Sequence, residues 1–186
     1  ANNFYLDFMY SRHQEEPGHN WGGVVDEFAS WEAQPLKVYR SARYDISGKK
    51  NNLATIENGK PAIVKKENII GIQGQLWAET IRGYNTVQYY TFPKIFGIVE
   101  RGWNAVPAWG DDNEDSKLYL DQRAQYNAQI GLKELPSLAK RGAHFRIGQP
   151  GIIAKDGKLL ANKQYPGIVV RYTFDGSEPT ENSPEW

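Results

Sequence analysis

Two short apolar runs stand far apart in the sequence. They are Phe4-Tyr5-Leu6-Asp7-Phe8-Met9-Tyr10 and Ile69-Ile70-Gly71-Ile72-Gln73-Gly74-Gln75-Leu76-Trp77. The first reads as a buried strand interrupted by one carboxylate. The second is β-branched at its start and punctuated by glycines where another backbone comes close. After the second run, Thr86 to Trp103 reads as a helix that Pro93 breaks or restarts. A strand, a long connection, a second strand and then a helix is the rhythm of parallel α/β structure.

Other segments fill in this frame. The spacing of Val24, Val25, Phe28 and Trp31 predicts one helix that ends near Pro35. From Asp45 to Asn68 the chain is rich in Lys, Asn and Gly, which predicts a solvated excursion with a small hairpin at Asn58-Gly59. The acidic run 111–115 precedes a helix predicted from Leu118 to about Leu132, where negative charge favours the helix's positive end. After Arg141-Gly142 the texture changes to short strands between turns: 151–153, 158–160 and the alternating 168–174. We therefore expect an α/β part over residues 1–144 and an all-β part over 145–186.

Composition removes several functions. Lysine plus arginine total 22 and aspartate plus glutamate 22, so the net charge is zero and a nonspecific grip on nucleic acid is not expected. With no cysteine there is no disulfide framework, zinc-thiolate site or thiol nucleophile. No stretch approaches the roughly 20 apolar residues of a membrane span. Aromatic residues make up 13% of the chain, with six tryptophans, which fits either flat ligand-binding surfaces or an aromatic core.

Chemistry enters through one local pattern that occurs twice. Tyr5-Leu6-Asp7 and Trp77-Ala78-Glu79 each place an aromatic ring two residues before a carboxylate, and alternate residues of a strand point to the same side. A ring beside an acid suits a sugar, whose C–H face lies on the ring while its hydroxyls donate to the carboxylate. Ligands also gather at the carboxyl ends of parallel strands, where both pairs fall. Other signals fail. Asp111, Asn113 and Asp115 match the start of a calcium loop, but Ser116 stands where its glycine is needed and Gln122 where its glutamate is. His13, Glu15, Glu16 and His19 lie in a Pro-Gly turn with no fixed face for a metal. No metal or cofactor is expected. Trp31, Trp103 and Trp109 are assigned to packing.

The Tyr5-Leu6-Asp7 strand with Tyr10, the Trp21-Gly22-Gly23 turn, and the string Gly71-Ile72-Gln73-Gly74-Gln75-Leu76-Trp77-Ala78-Glu79 followed by Glu100-Arg101-Gly102-Trp103 resemble the last two barrel strands of family 20 β-N-acetylhexosaminidases. Downstream, Tyr172-Thr173-Phe174-Asp175-Gly176-Ser177-Glu178-Pro179-Thr180 resembles the β-sandwich domain that follows that barrel. The resemblance implies the C-terminal part of a (β/α)8 barrel over 1–144 and the start of a sandwich-like domain over 145–186. It also implies removal of terminal β-linked N-acetylglucosamine or N-acetylgalactosamine, with the substrate's acetamido oxygen attacking C1. On this resemblance Tyr5 hydrogen-bonds the acetamido carbonyl, and Asp7 and Glu79 hold hydroxyls of the terminal sugar. Trp77 walls the acetamido pocket and Trp21 borders the mouth.

The family's acid pair is an adjacent Asp-Glu after a Gly-rich strand end. The chain's one such pair, Asp26-Glu27, follows Val24-Val25 instead and reads as acids in a first helical turn. The expectation is that the catalytic pair lies upstream, so that the chain is a C-terminal fragment, inactive alone, whose partners are N-acetylhexosamine-terminated glycans and the missing part of the same enzyme. Exposed barrel edges would favour homo-oligomers. The resemblance implies a periplasmic, cell-envelope or secreted location. The alternative is a non-catalytic carbohydrate-binding or interaction module.

Overall fold

The computed structural model describes residues 3–58 and 65–186; the hairpin expected at Asn58-Gly59 runs into residues outside the described ones. The architecture is a mixture of helices and one small sheet. In chain order it comprises α1 (Ala29–Glu32), α2 (Leu53–Glu57), α3 (Tyr84–Thr91), α4 (Lys94–Trp103), α5 (Lys117–Gln129), α6 (Leu135–Lys140), and the strands β1 (Ile152–Lys155) and β2 (Lys158–Ala161). Short 3-10 turns occur at Val38–Ser41 and Lys66–Asn68.

The two predicted strands meet, in parallel, but at a single bridge. Tyr5 pairs with Gln75: the Leu6 N–H donates to the Gln75 carbonyl at 2.7 Å, and the Gln75 N–H donates to the Phe4 carbonyl at 3.0 Å. The other edge of the first run is taken by residue 19. Phe8 bridges His19 in parallel, with the His19 N–H donating to the Asp7 carbonyl at 2.8 Å and the Met9 N–H to the His19 carbonyl at 3.0 Å. The parallel relation is therefore present, while regular strands over 4–10 and 69–77 are not.

Among the described residues the regular ladder is the antiparallel hairpin that pairs Ile152 with Ala161 and Lys155 with Lys158. Its turn, Asp156-Gly157, has φ of +51° and +71°, which matches the twist of a two-residue hairpin. The expected strand over 168–174 is irregular. It pairs through Arg171 with Glu185, and the Trp186 N–H donates to the Val170 carbonyl at 2.9 Å.

Helix α1 begins later than the apolar spacing predicts. The Val25 N–H is taken by the Met9 carbonyl at 3.1 Å, which keeps that residue beside the strand-like run. Asp26 Oδ1 then accepts the N–H groups of Phe28 at 3.0 Å and Ala29 at 2.9 Å, satisfying donors at the helix start. The predicted break at Pro93 is where α3 ends and α4 begins. Helix α5 starts under Ser116, whose hydroxyl accepts the Tyr119 N–H at 3.1 Å. It passes through a wide π turn, Ile130–Glu134, before α6, whose first turn holds a proline without an N–H to donate.

One aromatic core joins the helices to the segment after them. Phe28, Trp31, Trp109, Tyr119, Tyr126, Ile130, Leu135 and Tyr165 are buried together, with Phe96, Leu138, Phe145 and Ile168 packed against them. Gly131 makes the seat for Tyr165 and Pro166 possible, because a Cβ there would collide with the Pro166 carbonyl. Trp31 and Trp109 are core residues as expected. Trp103 is not: at the end of α4 it is 88% exposed, a correction to its assignment to packing.

Candidate functional site

The Tyr5–Gln75 bridge brings the two aromatic-acid pairs to one edge. It places Tyr5 and Asp7 on one segment beside a second segment that carries Trp77 and Glu79 two and four residues beyond Gln75. The floor of this site is Phe8. Its ring is fully buried and meets the Tyr5 ring edge-on at 5.2 Å and the Trp21 ring edge-on at 4.9 Å between centroids. Tyr5 and Trp21, sixteen positions apart in the chain, are thus set by one hydrophobic side chain.

Asp7 and Glu79 differ sharply in surroundings. The Asp7 side chain is 1% exposed and that of Glu79 is 66% exposed. Among the described residues neither Asp7 carboxylate oxygen has a hydrogen-bond donor, a costly state for a buried acid and a suitable one for a group that takes a ligand's hydroxyls. Between the two lies His19, whose Nε2 is 3.8 Å from Asp7 Oδ2 and 3.5 Å from Glu79 Oε2.

Sequence reasoning did not find Phe8 or His19 as site residues. The signal for His19 was the Pro17-Gly18 turn, which brings the chain back along residues 7–9. Gly18 has φ of +125°, and a Cβ on it would lie 2.7 Å from the Met9 nitrogen and 2.9 Å from the Asp7 oxygen. Only glycine allows that approach.

The sequence-predicted residues are therefore unequally gathered. Tyr5, Asp7, Trp21 and Glu79 are linked through Phe8 and His19. Trp21 and Trp77 are 67% and 53% exposed, and among the described residues the Trp77 ring has no aromatic partner. Its flat face is open.

Lys94 supports the site from behind. Although at the start of α4, it is buried, and its Nζ donates to the Leu6 carbonyl at 3.0 Å and to the Phe8 carbonyl, the two carbonyls that flank Asp7. The Tyr10 ring covers the ammonium at 3.8 Å. Burial drives this lysine down to about 7, against the pull of Asp26, Glu27, Glu16 and Asp7.

Asp26 and Glu27 lie elsewhere and have structural partners. Burial raises both carboxyls above the ordinary range, and for Glu27 the adjacent Asp26 adds to the rise. Asp26 holds the start of α1, as already described. Glu27 accepts a hydrogen bond from the Gln164 amide and lies 3.5 Å from Arg146, which also reaches Glu16 at 3.1 Å. Glu16 in turn accepts the Tyr89 hydroxyl at 2.7 Å, and that phenol is pushed up to about 12, first by burial and then by Glu16. This network lines a cleft of about 760 Å³ between residues 10–16 and 146–164, while a second cleft of about 690 Å³ opens behind Gly22–Val25. Neither is lined by Tyr5, Asp7, Trp21, Trp77 or Glu79. The larger one is the seam at which the C-terminal segment is latched.

Comparison with known proteins bears on these features together. The model of the glycosyl hydrolase family 20 catalytic domain matches residues 1–106, and that of the chitobiase/beta-hexosaminidase C-terminal domain matches residues 134–185. The N,N'-diacetylchitobiase of Vibrio harveyi is 28% identical over 185 residues, covering 92% of this chain and 20% of that protein. A beta-hexosaminidase of Vibrio vulnificus is 25% identical over 196 residues, covering 93% of this chain and 22% of its own length. The chain thus spans about a fifth of the length of the curated relatives it matches. A solved family 20 exo beta-N-acetylglucosaminidase from Vibrio harveyi, in complex with N-acetylglucosamine, aligns with a TM-score of 0.49 at 24% identity, over 78% of this chain and 18% of that one.

Proposed function

The chain belongs to glycosyl hydrolase family 20, and from that premise we propose that it forms the sugar-holding side of an exo-acting β-N-acetylhexosaminidase active site. The substrates are glycans ending in β-linked N-acetylglucosamine or N-acetylgalactosamine. The fold proposed for the whole enzyme is a (β/α)8 barrel followed by a β-sandwich, with residues 1–144 in the first and 145–186 in the second. The observation that carries this reading is the Tyr5–Gln75 bridge, which joins the Tyr5/Asp7 pair to the Trp77/Glu79 pair beside Trp21.

The chemistry divides between holding and protonating. In a substrate-assisted route the acetamido oxygen of the sugar attacks its own C1, so the enzyme must select the conformer in which that oxygen is aligned. Tyr5 is assigned to the acetamido carbonyl and Trp77 to the wall of its pocket. Asp7, buried and without a donor among the described residues, and the exposed Glu79 receive ring hydroxyls, and Trp21 borders the leaving-group side. The acid that protonates the leaving group is assigned to an Asp-Glu pair from outside these 186 residues. The commitments of Asp26 to the α1 start and of Glu27 to Arg146 and Gln164 support leaving that pair out of the reaction.

Titration of the chain with N-acetylglucosamine, followed by tryptophan fluorescence or NMR, should give weak, millimolar saturable binding that Trp77→Ala removes. Incubation with an aryl N-acetyl-β-glucosaminide should release no phenol. Turnover lost in Glu27→Gln would overturn the assignment of the acid, and the absence of saturable binding would overturn the site.

A further inference from the structure

His19 has no role in the chemistry assigned so far, yet its place is strictly determined. Its backbone is held on both sides, by the Asp7 carbonyl and the Met9 N–H, and Gly18 before it can be nothing larger. The ring packs against Phe8 at 6.3 Å between centroids, which points Nε2 into the gap between Asp7 and Glu79. The groups that face it are these two carboxylates, one from each of the bridged segments. Lys94 lies behind Asp7 and acts on it through charge. No other element brings a titratable group within ion-pair distance of the ring among the described residues.

Resting on the reading of Asp7 and Glu79 as hydroxyl acceptors, we propose that His19 is a positioning residue for that pair. Its Nε2 stands between the two carboxylates, 3.8 Å from Asp7 and 3.5 Å from Glu79, and holds them on one side of the ring. A carboxylate has about four lone-pair directions, so one interaction with His19 leaves Asp7 and Glu79 free to accept sugar hydroxyls. Without that ring the two negative charges repel each other, and the exposed Glu79 swings out into water. Sugar binding therefore weakens when the ring nitrogen is removed. The size of the effect is that of one partly exposed polar contact, about threefold to fivefold in affinity.

Two measurements on the intact chain test this. First, the Glu79 side-chain carboxyl carbon is followed by NMR. Its resonance should shift in His19→Ala, and His19→Gln, which keeps a donor at that place, should restore it. Second, N-acetylglucosamine affinity at a fixed pH should fall about threefold to fivefold in His19→Ala and be recovered in His19→Gln. In the background of Glu79→Gln, at a side chain two-thirds in water, His19→Ala should cost less, because the second carboxylate it holds is gone. A Glu79 resonance indifferent to His19 overturns the triad, whatever the sugar does. An affinity unchanged in His19→Ala, or lost alike in His19→Gln, overturns the positioning role. Absence of saturable binding in the unsubstituted protein overturns the site reading and the positioning role together, while leaving the resonance result to stand alone.

Discussion

Two pairs of tryptophans in this chain have opposite surroundings. Trp31 and Trp109 lie 4.6 Å apart in the aromatic core, with Trp31 stacked on Tyr126 at 5.4 Å and both meeting the Tyr119 ring. Arg43 and Arg101 lie over the faces of that cluster, each 5.5 Å from the Trp109 ring. Among the described residues two guanidinium nitrogens of each arginine are buried without a hydrogen-bond acceptor, and the ring faces add to the ion pairs that Arg43 makes with Glu114 and Arg101 with Glu100. Trp21 and Trp77 are placed by backbone bridges and by Phe8, and most of their surface faces water. The core saturates its aromatic faces, whereas the site leaves them open. Aromatic content by itself therefore says little until the partners of each ring are known.

The largest expected effect comes from breaking the core side of this contrast. Trp31→Ala should cost about 3–5 kcal/mol of stability, because Trp109 and the α5 rings of Tyr119 and Tyr126 lose a common partner. Chemical denaturation followed by circular dichroism would measure it. A loss under 1 kcal/mol would mean that the cluster does not carry the fold.

Lys94 comes next, since it ties core to site. An unfolded lysine keeps its proton up to about 10.5, whereas buried Lys94 releases it at about 7. Between those values the unfolded chain binds more protons, so this group makes stability rise with pH, by at most about 1.4 kcal/mol per pH unit. Asp26, Glu27 and Glu32, all raised by burial, contribute the opposite slope: their part is lost as pH climbs above about 3.8 for Asp26 and about 4.5 for the two glutamates. Urea unfolding from pH 7 to pH 9 should show the lysine's rise, and Lys94→Met should abolish it.

How much of this was legible depended on whether the determining contacts were local. The break at Pro93, the helix after the acidic run and the two short strands over 151–153 and 158–160 follow from residues within a few positions, and the sequence announces them. So does the pairing of an aromatic with an acid at Tyr5/Asp7 and Trp77/Glu79, because alternation along a strand is a local property. The late start of α1 was hidden, since it depends on Met9, sixteen positions earlier, capturing the Val25 N–H. Phe8 and His19 were hidden for the same reason. Nothing near Phe8 in sequence says that it supports Trp21, and His19 reads as one polar residue in a turn until its parallel register with Phe8 is known. The resemblance to a family supplied roles, while the contacts that hold those roles in place required the fold.

Phe8→Leu tests whether the two regions are separable. The residue is as buried as any core side chain, yet its contacts are with Tyr5, Trp21 and His19 and not with the Trp31 cluster. The loss in stability should be about 1–2 kcal/mol, smaller than for Trp31→Ala because leucine refills part of the volume. N-acetylglucosamine binding should suffer more than this loss explains, since two site rings lose their floor. Equal binding in a folded Phe8→Leu variant would show that Tyr5 and Trp21 are held by something other than Phe8.

The smallest expected effect sharpens the comparison most. Trp103 is more exposed than either site tryptophan and, among the described residues, has no aromatic partner, so by exposure alone it would rank first as a ligand surface. It stands at the last residue of α4, with no carboxylate two residues beyond it: position 105 is Ala105. If an open ring makes a sugar site only beside an acid held in place, Trp103→Ala should change stability by less than about 0.5 kcal/mol. It should also leave N-acetylglucosamine titration unmoved, where Trp77→Ala abolishes it. A Trp103→Ala variant that lost sugar binding would mean that exposure, and not the ring-acid pairing, marks the binding surface.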